Sequence, residues 1–260
     1  MTVFRTLVSG SSGNCVLFSH NGTNILIDCG MSGKRASELL NASGIAPESL
    51  RCIFVTHEHI DHASGVGVMS RKYNIPVAAS VGTWDGMNIG RIAPENIIRF
   101  SEFAGIDFGD FSVTPFEIPH DANMPTGYVI DCGGKKYAVA TDIGHVTEKV
   151  MTAVSGCESV LLEANYDAKM LETGSYPYPL KKRIAGDYGH LCNTDSGRFA
   201  AGLVKRGTKR LLLGHLSIEN NTEKTAFDTV SSALEYEGIH LGRHVDVTIA
   251  PRYAPSVNAG

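Results

Sequence analysis

The sequence predicts a mixed α/β fold in which two packed sheets are flanked by helices. Three observations point there. Short apolar runs of strand length recur in both halves of the chain, many of them closed by Gly, Asp or His. Amphipathic stretches with helix start and stop signals fall between or after them. No internal repeat, linker or low-complexity segment interrupts the pattern, so residues 1–260 read as one domain.

The elements follow in order. Residues 3–8 and 15–19 read as strands around the loop Ser9-Gly10-Ser11-Ser12-Gly13-Asn14. That loop is a hairpin turn, with enough backbone N–H to touch a phosphate but not the spacing of a P-loop. Asn24-Ile25-Leu26-Ile27 is a third strand ending at Asp28-Cys29-Gly30. Ser32 caps a helix to about Ser43, stopped by Gly44. Cys52-Ile53-Phe54-Val55-Thr56 is a buried strand, with a helix expected over 63–73, a strand over 75–79 and a helix over 81–90. Residues 97–118 hold two or three strands, the last running into Pro119-His120-Asp121. Residues 127–131 and 136–140 form a hairpin turned by Gly133-Gly134, and the second strand runs out at Thr141-Asp142. A strand after 158 ends at Glu163-Ala164-Asn165. Asn193 or Thr194 starts a helix to about Arg206, Arg210-Leu211-Leu212-Leu213 is a buried strand, 222–237 is an amphipathic helix and 244–249 a last strand.

Hydrophobic residues at 43% and charged residues at 19% suit a water-soluble globular chain. No apolar run reaches the roughly 20 residues needed to span a bilayer. The N-terminus lacks a signal peptide's pattern, so a cytoplasmic protein with no membrane partner is expected. Six scattered cysteines without a CxxC pair read as small buried hydrophobes in a reducing compartment. A net charge of −4 does not suit a protein that coats nucleic acid with a broad basic face, though a local basic groove is compatible.

The stretch with most chemistry is His57-Glu58-His59-Ile60-Asp61-His62, directly after a strand. His57 and His59, two apart, face one side of extended backbone. Asp61 and His62 follow the turn and can swing toward a second ion. Imidazole with carboxylate suits zinc, and also manganese or iron. The plainer alternative is a solvated polar loop, which rarely assembles four ligand types at this spacing.

A HxHxDH run after a strand resembles the signature of the metallo-β-lactamase-fold hydrolases. The resemblance covers nearly the whole chain and implies a four-layer αββα sandwich. It implies two divalent ions per chain, zinc or manganese with iron also accommodated. One would take His57, His59 and His120, the other Asp61, His62 and His215, with Asp142 bridging. Asp28 falls where the fold carries an aspartate that orients a ligand histidine. Family members with a di-iron redox centre have Glu where this chain has His59, so hydrolysis is expected, with Asp61 among the catalytic residues.

Substrate must be sought between 163 and 217. Lys181-Lys182-Arg183 precede Gly189-His190-Leu191-Cys192-Asn193 and a helix start. There Arg183 could clamp a phosphate, His190 could bind or protonate it, and the helix start at Asn193 could present N–H groups. The plainer reading is a solvated basic helix and a structural histidine. Ser9 to Asn14, the stretch from Glu163 through Gly189-His190-Leu191, and Gly214-His215-Leu216-Ser217 are similar to the YycJ/WalJ branch of the fold, which brings Asn165 and Ser217 into the expected substrate site. That branch is associated with 5′-to-3′ exonuclease activity on DNA. Its members often have Asn-His-Asp where this chain has Asn165-Tyr166-Asp167, and Tyr166 could stack on a base instead.

The expected function is therefore cleavage of phosphodiesters, with DNA ahead of RNA and a small phosphodiester as the other partner. Two competitors stand beside it: a small-molecule hydrolase such as a cyclic phosphodiesterase, lactonase or thioesterase, and a non-catalytic binding module. Oligomeric state is not encoded legibly. His145, three residues after Asp142, is either an outer support of that residue or surface, and His20, His240 and His244 read as surface or structural.

Overall fold

The structure, a computed structural model, describes residues 2–260. The chain forms two compact units: Met1–Pro115 with Ala122–Thr126 and Pro251–Gly260, and Phe116–Asp121 with Gly127–Ala250. Each has its own apolar core.

The first unit contains strands β1 (Thr2–Val8), β2 (Cys15–His20) and β3 (Thr23–Ile27), helix α1 (Gly33–Ala42), β4 (Leu50–Phe54), helices α2 (Ile60–Ala63) and α3 (Val66–Tyr73), β5 (Val77–Ser80), α4 (Val81–Gly86), β6 (Ile97–Phe100) and β7 (Ile106–Asp107). Strand β8 (Ser112–Glu117) carries the chain into the second unit. Six strands form a sheet in the order β1-β2-β3-β4-β5-β6. β1, β2 and β3 are antiparallel neighbours, and β3 to β6 are parallel. β3, β4 and β5 are apolar with almost every residue buried, the pattern of parallel strands covered on both faces. Ser32 and Ser80 accept from Arg35 and Thr83 N–H, so α1 and α4 start where a hydroxyl satisfies an orphan donor. At the sheet edge Thr6 and Phe4 carbonyls accept from Ser256 and Ala259 N–H, both at 2.9 Å, so residues 256–259 cover β1.

The second unit continues with β9 (Thr126–Cys132), β10 (Lys135–Ala140), α5 (Glu148–Val154), β11 (Ser159–Glu163), α6 (Ala168–Thr173), α7 (Tyr178–Ile184), α8 (Asn193–Val204), β12 (Arg210–Gly214), α9 (Glu223–Tyr236) and β13 (Asp246–Ile249). Strands β13-β12-β11-β10-β9 lie side by side in a seven-stranded sheet completed by β8 and β7. β9 and β10 form the expected antiparallel hairpin, with Gly133 and Gly134 at φ 61° and 88°, and β10 to β13 are parallel. Phe199, Leu203, Val230 and Leu234 bring α8 and α9 into the core formed by β10, β11 and β12.

The fold class is the expected one, mixed α/β with two sheets and helices. Three details differ. The helix expected over 63–73 begins only at Val66, and a separate single turn, α2, precedes it over 60–63, with Ser64 and Gly65 between them. α4 stops at Gly86 rather than 90, with Met87 in extended backbone. Helices α5 and α6 were not anticipated: each is only two turns or less, too short for a periodic signal, and each is started by a side-chain cap, Thr147 or Asp167. Among the described residues no helix is long and apolar enough to cross a membrane.

Candidate functional site

Polar residues emerge where adjacent parallel strands end together. In the first unit β3 and β4 pair with Ile27 opposite Phe54, so Asp28 and the segment Thr56–His57 leave the sheet at one level. Asp28 has φ 62°, a left-handed conformation that an aspartate tolerates at a cost. Its Oδ1 accepts from Thr56 N–H at 2.8 Å, and its Oδ2 accepts from the Thr56 hydroxyl at 2.9 Å and stands 2.7 Å from His62 Nδ1. Burial raises the Asp28 carboxyl above its ordinary value, outweighing the opposing effect of His62 and Thr56.

His57 is fully buried, and its Nε2 lies 3.0 Å from Nδ1 of His59, the side-by-side placement expected of residues two apart. Asp61 and His62 sit on the single turn of α2, with Asp61 Oδ2 3.6 Å from His62 Nε2. Asn14 Nδ2 lies 3.0 Å from that same His62 nitrogen, and Asn14 N–H donates to Asp61 O at 2.8 Å. The loop expected to be a simple turn therefore braces the histidine cluster. Gly30 permits the approach, since a Cβ there would stand 1.6 Å from Asp61 O.

In the second unit the same logic operates on three strands. β10, β11 and β12 are parallel neighbours, and Asp142, Glu163 and His215 lie at or just beyond their C-terminal ends. Asp142 and His215 have φ 60° and 54°, so two of these three residues hold strained backbone. Glu163 Oε1 lies 2.9 Å from His190 Nδ1 and 2.8 Å from His215 Nδ1. Its Oε2 accepts from Ile143 N–H at 2.9 Å and Leu191 N–H at 3.0 Å. Burial opposes its charge, but His190 and His215 outweigh burial and hold the carboxyl well below the usual range. Asp142 Oδ1 is 3.3 Å from His215 Nδ1. His120 follows β8, and its Nδ1 lies 3.0 Å from Gly189 O, while its Nε2 faces Asp121 Oδ1 at 3.4 Å and Asp142 Oδ1 at 3.9 Å. Burial lowers the His120 value, with Asp142 opposing.

One ligand atom each from Asp142, Glu163, His190 and His215 lie within 4.8 Å of one another. This donor set fits a divalent ion: imidazole and carboxylate together are the ligands of zinc and manganese. In the first unit the 3.0 Å between His57 and His59 nitrogens approaches the about 3.3 Å expected for two imidazoles on one tetrahedral zinc.

Glu163 was missed as a site residue. Its signal was a carboxylate ending Ser159-Val160-Leu161-Leu162-Glu163, a strand buried throughout. Asn14 carried no such signal.

The expected substrate residues divide. His190, 17% exposed at its side chain, joins Asp142 and His215. Asn165 Nδ2 donates to His215 O at 2.8 Å, and Ser217 N–H donates to Asn165 O at 2.8 Å, so both hold the His215 loop in place. Arg183 grips both oxygens of Asp121, the residue after His120. Asn193 is the first residue of α8, as expected, with Cys192 as the cap, and its side-chain amide is buried in a reciprocal pair with Asn221 at 3.0 and 2.9 Å. The pair closes the α8 start because Asn221 also donates to the Ala164 and Asn165 carbonyls. His145 is exposed with Nδ1 2.8 Å from Asp187 O, so its ring is engaged away from Asp142. Tyr166 is 8% exposed.

Comparison with known proteins adds four findings. A family model described as the metallo-beta-lactamase superfamily matches residues 8–215. The chain is 36% identical over 246 residues to the exodeoxyribonuclease YycJ of Bacillus anthracis, covering 94% of this chain and 93% of that one. It is 35% identical over 243 residues to the exodeoxyribonuclease WalJ of Streptococcus pneumoniae serotype 2, covering 92% and 90%. Among solved structures, the metallo-beta-lactamase fold protein YhfI from Bacillus subtilis superposes with a TM-score of 0.75 at 15% identity, covering 98% and 99%.

Proposed function

This chain belongs to the metallo-β-lactamase superfamily, and from that premise we propose that it is a metal-dependent exonuclease that trims DNA from a 5′ end. The observation that carries the reading is the Glu163–His190 pair beside Asp142 and His215. A hydrolase that only needed metal ligands would not need a further imidazole there with its proton position set by a buried carboxylate. The activity named for the two bacterial relatives supports DNA as the substrate. Six free cysteines, five of them buried, support a reducing, cytoplasmic setting.

The residues proposed to hold two divalent ions are His57, His59, Asp61 and His62 in the first unit and His120, Asp142 and His215 in the second. When bound, such ions polarise a phosphodiester and neutralise the charge that develops on its oxygens. The chain's own groups do the rest. An ionised Glu163 accepts only, so it requires the His190 proton on Nδ1 and leaves Nε2 for a phosphate or leaving oxygen. Asp28 requires the His62 proton on Nδ1 in the same way, so Nε2 carries the ring's lone pair, with Asn14 Nδ2 3.0 Å from it. Arg183 is held by both oxygens of Asp121 and would meet a phosphate only by exchanging that partner, while Asn165 and Ser217 keep the His215 loop in register.

The test is cleavage of a 5′-phosphorylated, end-labelled DNA duplex with manganese or zinc, comparing wild type with Asp61→Ala. Progressive shortening that the variant loses supports the reading. Turnover of bis-p-nitrophenyl phosphate without any DNA cleavage would overturn it in favour of a small-molecule phosphodiesterase.

A further inference from the structure

We propose that the cavity bounded by α6 and α7 is a nucleobase subsite, which seats one unstacked base of the DNA strand being digested; the proposal rests on the exonuclease reading above. The cavity holds about 420 Å³ and is lined by Tyr166, Leu171, Tyr178, Lys181, Lys182 and Ala185, among others. That volume lies in the range of small-molecule sites, and phenol rings with aliphatic walls suit a flat heteroaromatic ring better than an isolated phosphate.

Two further observations point to a ligand. Tyr166 is 8% exposed and lines the cavity, so what remains accessible of this large polar-tipped side chain is available to a molecule seated there. Burial pushes the phenol up to about 12, so it remains a protonated donor able to meet a base edge. Helix α7 buries none of its residues, and Tyr178 at its start is 77% exposed, so a large ring is held at the cavity mouth without being part of the core.

The charges around the cavity agree. Of the three cations in the last turn of α7, Arg183 is engaged by Asp121 and Lys181 donates to Glu172 O at 2.7 Å. Lys182 has no acidic partner among the described residues and can meet a phosphate flanking the base. The Glu172 carboxylate also lines the cavity, where it suits an exocyclic amino group rather than an anion.

Both walls join the catalytic loops directly. Tyr166 O accepts from Asn193 N–H at 2.8 Å, and Tyr166 follows Asn165, which holds His215. The last residue of α7, Ile184, accepts from His190 N–H at 2.9 Å. A base seated here therefore belongs to a nucleotide next to the bond being cut.

The experiment is an abasic scan. Single-stranded oligonucleotides carrying a tetrahydrofuran residue at each of the first four positions are digested by wild type, Tyr178→Ala and Ala185→Trp. Ala185 sits at the exposed C-terminal cap of α7, at φ −86° and ψ 2°, so a tryptophan fills the cavity without strained backbone. With wild type, one abasic position should raise KM about five- to tenfold, the loss expected from one stacked base. Each variant should raise KM for intact DNA by a similar factor and show no further loss at that position. Unfolding midpoints close to wild type confirm intact folds. A flat scan with wild type, or penalties that simply multiply, overturns the subsite and leaves the exonuclease standing. No metal-dependent DNA cleavage by wild type overturns both.

Discussion

Nδ1 of His190 stands 2.9 Å from Oε1 of Glu163, and the carboxylate is fully buried. Because the same carboxylate reaches His215 and two backbone N–H groups, it fixes two imidazoles from different loops with one side chain. Glu163→Gln keeps the shape but places an amide N–H₂ where a carboxylate oxygen accepted, either toward the imidazoles or toward Ile143 and Leu191. DNA cleavage should fall about 10- to 100-fold, as for other supports of metal-site histidines. Stability should fall by on the order of 2 kcal/mol, since hydrogen bonds to a charged group are lost. Urea denaturation and single-turnover cleavage measure the two effects separately, and unchanged cleavage would remove Glu163 from the site.

Asp28 is tested best by Asn, which also tolerates φ 62°. Asp28→Asn removes the charge opposite His62 without adding backbone strain at the strand end. Metal affinity, read by competition with a chelating dye, should weaken about 10- to 100-fold with the far-UV spectrum preserved.

Removal of metal is the third test. EDTA should abolish DNA cleavage, and re-addition of manganese or zinc should restore it. At free metal 100 times the dissociation constant, binding adds about 2.7 kcal/mol to stability, so the unfolding midpoint should rise with metal concentration. A midpoint insensitive to metal would contradict binding by these clusters.

Glu158 supplies a pH test away from the site. Burial alone would raise its carboxyl, but Lys135 at 3.2 Å and Arg210 at 2.9 Å outweigh burial and lower it. A lowered value in the folded state means the stabilisation is present above the unfolded carboxylate range and is lost as pH falls through the folded value. Wild type should exceed Glu158→Gln by no more than about 1 kcal/mol at pH 7, and the gap should close below about pH 4. A gap that widened on acidification would reverse the assigned sign.

Much of the fold was legible because its signals are local. β3, β4 and β12 are apolar runs of strand length, α1 has its serine cap and following glycine, and the β9–β10 hairpin has its Gly-Gly turn. The short helices α5 and α6 lacked the length for a periodic pattern, and the break at Ser64-Gly65 needed the packing of Gly65 against Cys29 and Met31 to explain it.

The cluster from His57 to His62 was readable for the same reason, since its donors are neighbours in the chain and the strand before them sets their direction. His120, Asp142 and His215 were placed only through family resemblance, because each is a lone polar residue after a strand. What the tertiary structure alone decided is the support around them. The 2.8 Å link from Asn14 to Asp61 spans 47 positions, and those from Glu163 to His190 and His215 span 27 and 52. Contacts at such separations arise from which strands lie adjacent and in what register, and no spacing within one segment encodes that. Sequence alone determined the donor chemistry; sheet order and register decided which carboxylate orients which imidazole, and so which nitrogen of each ring is left for chemistry.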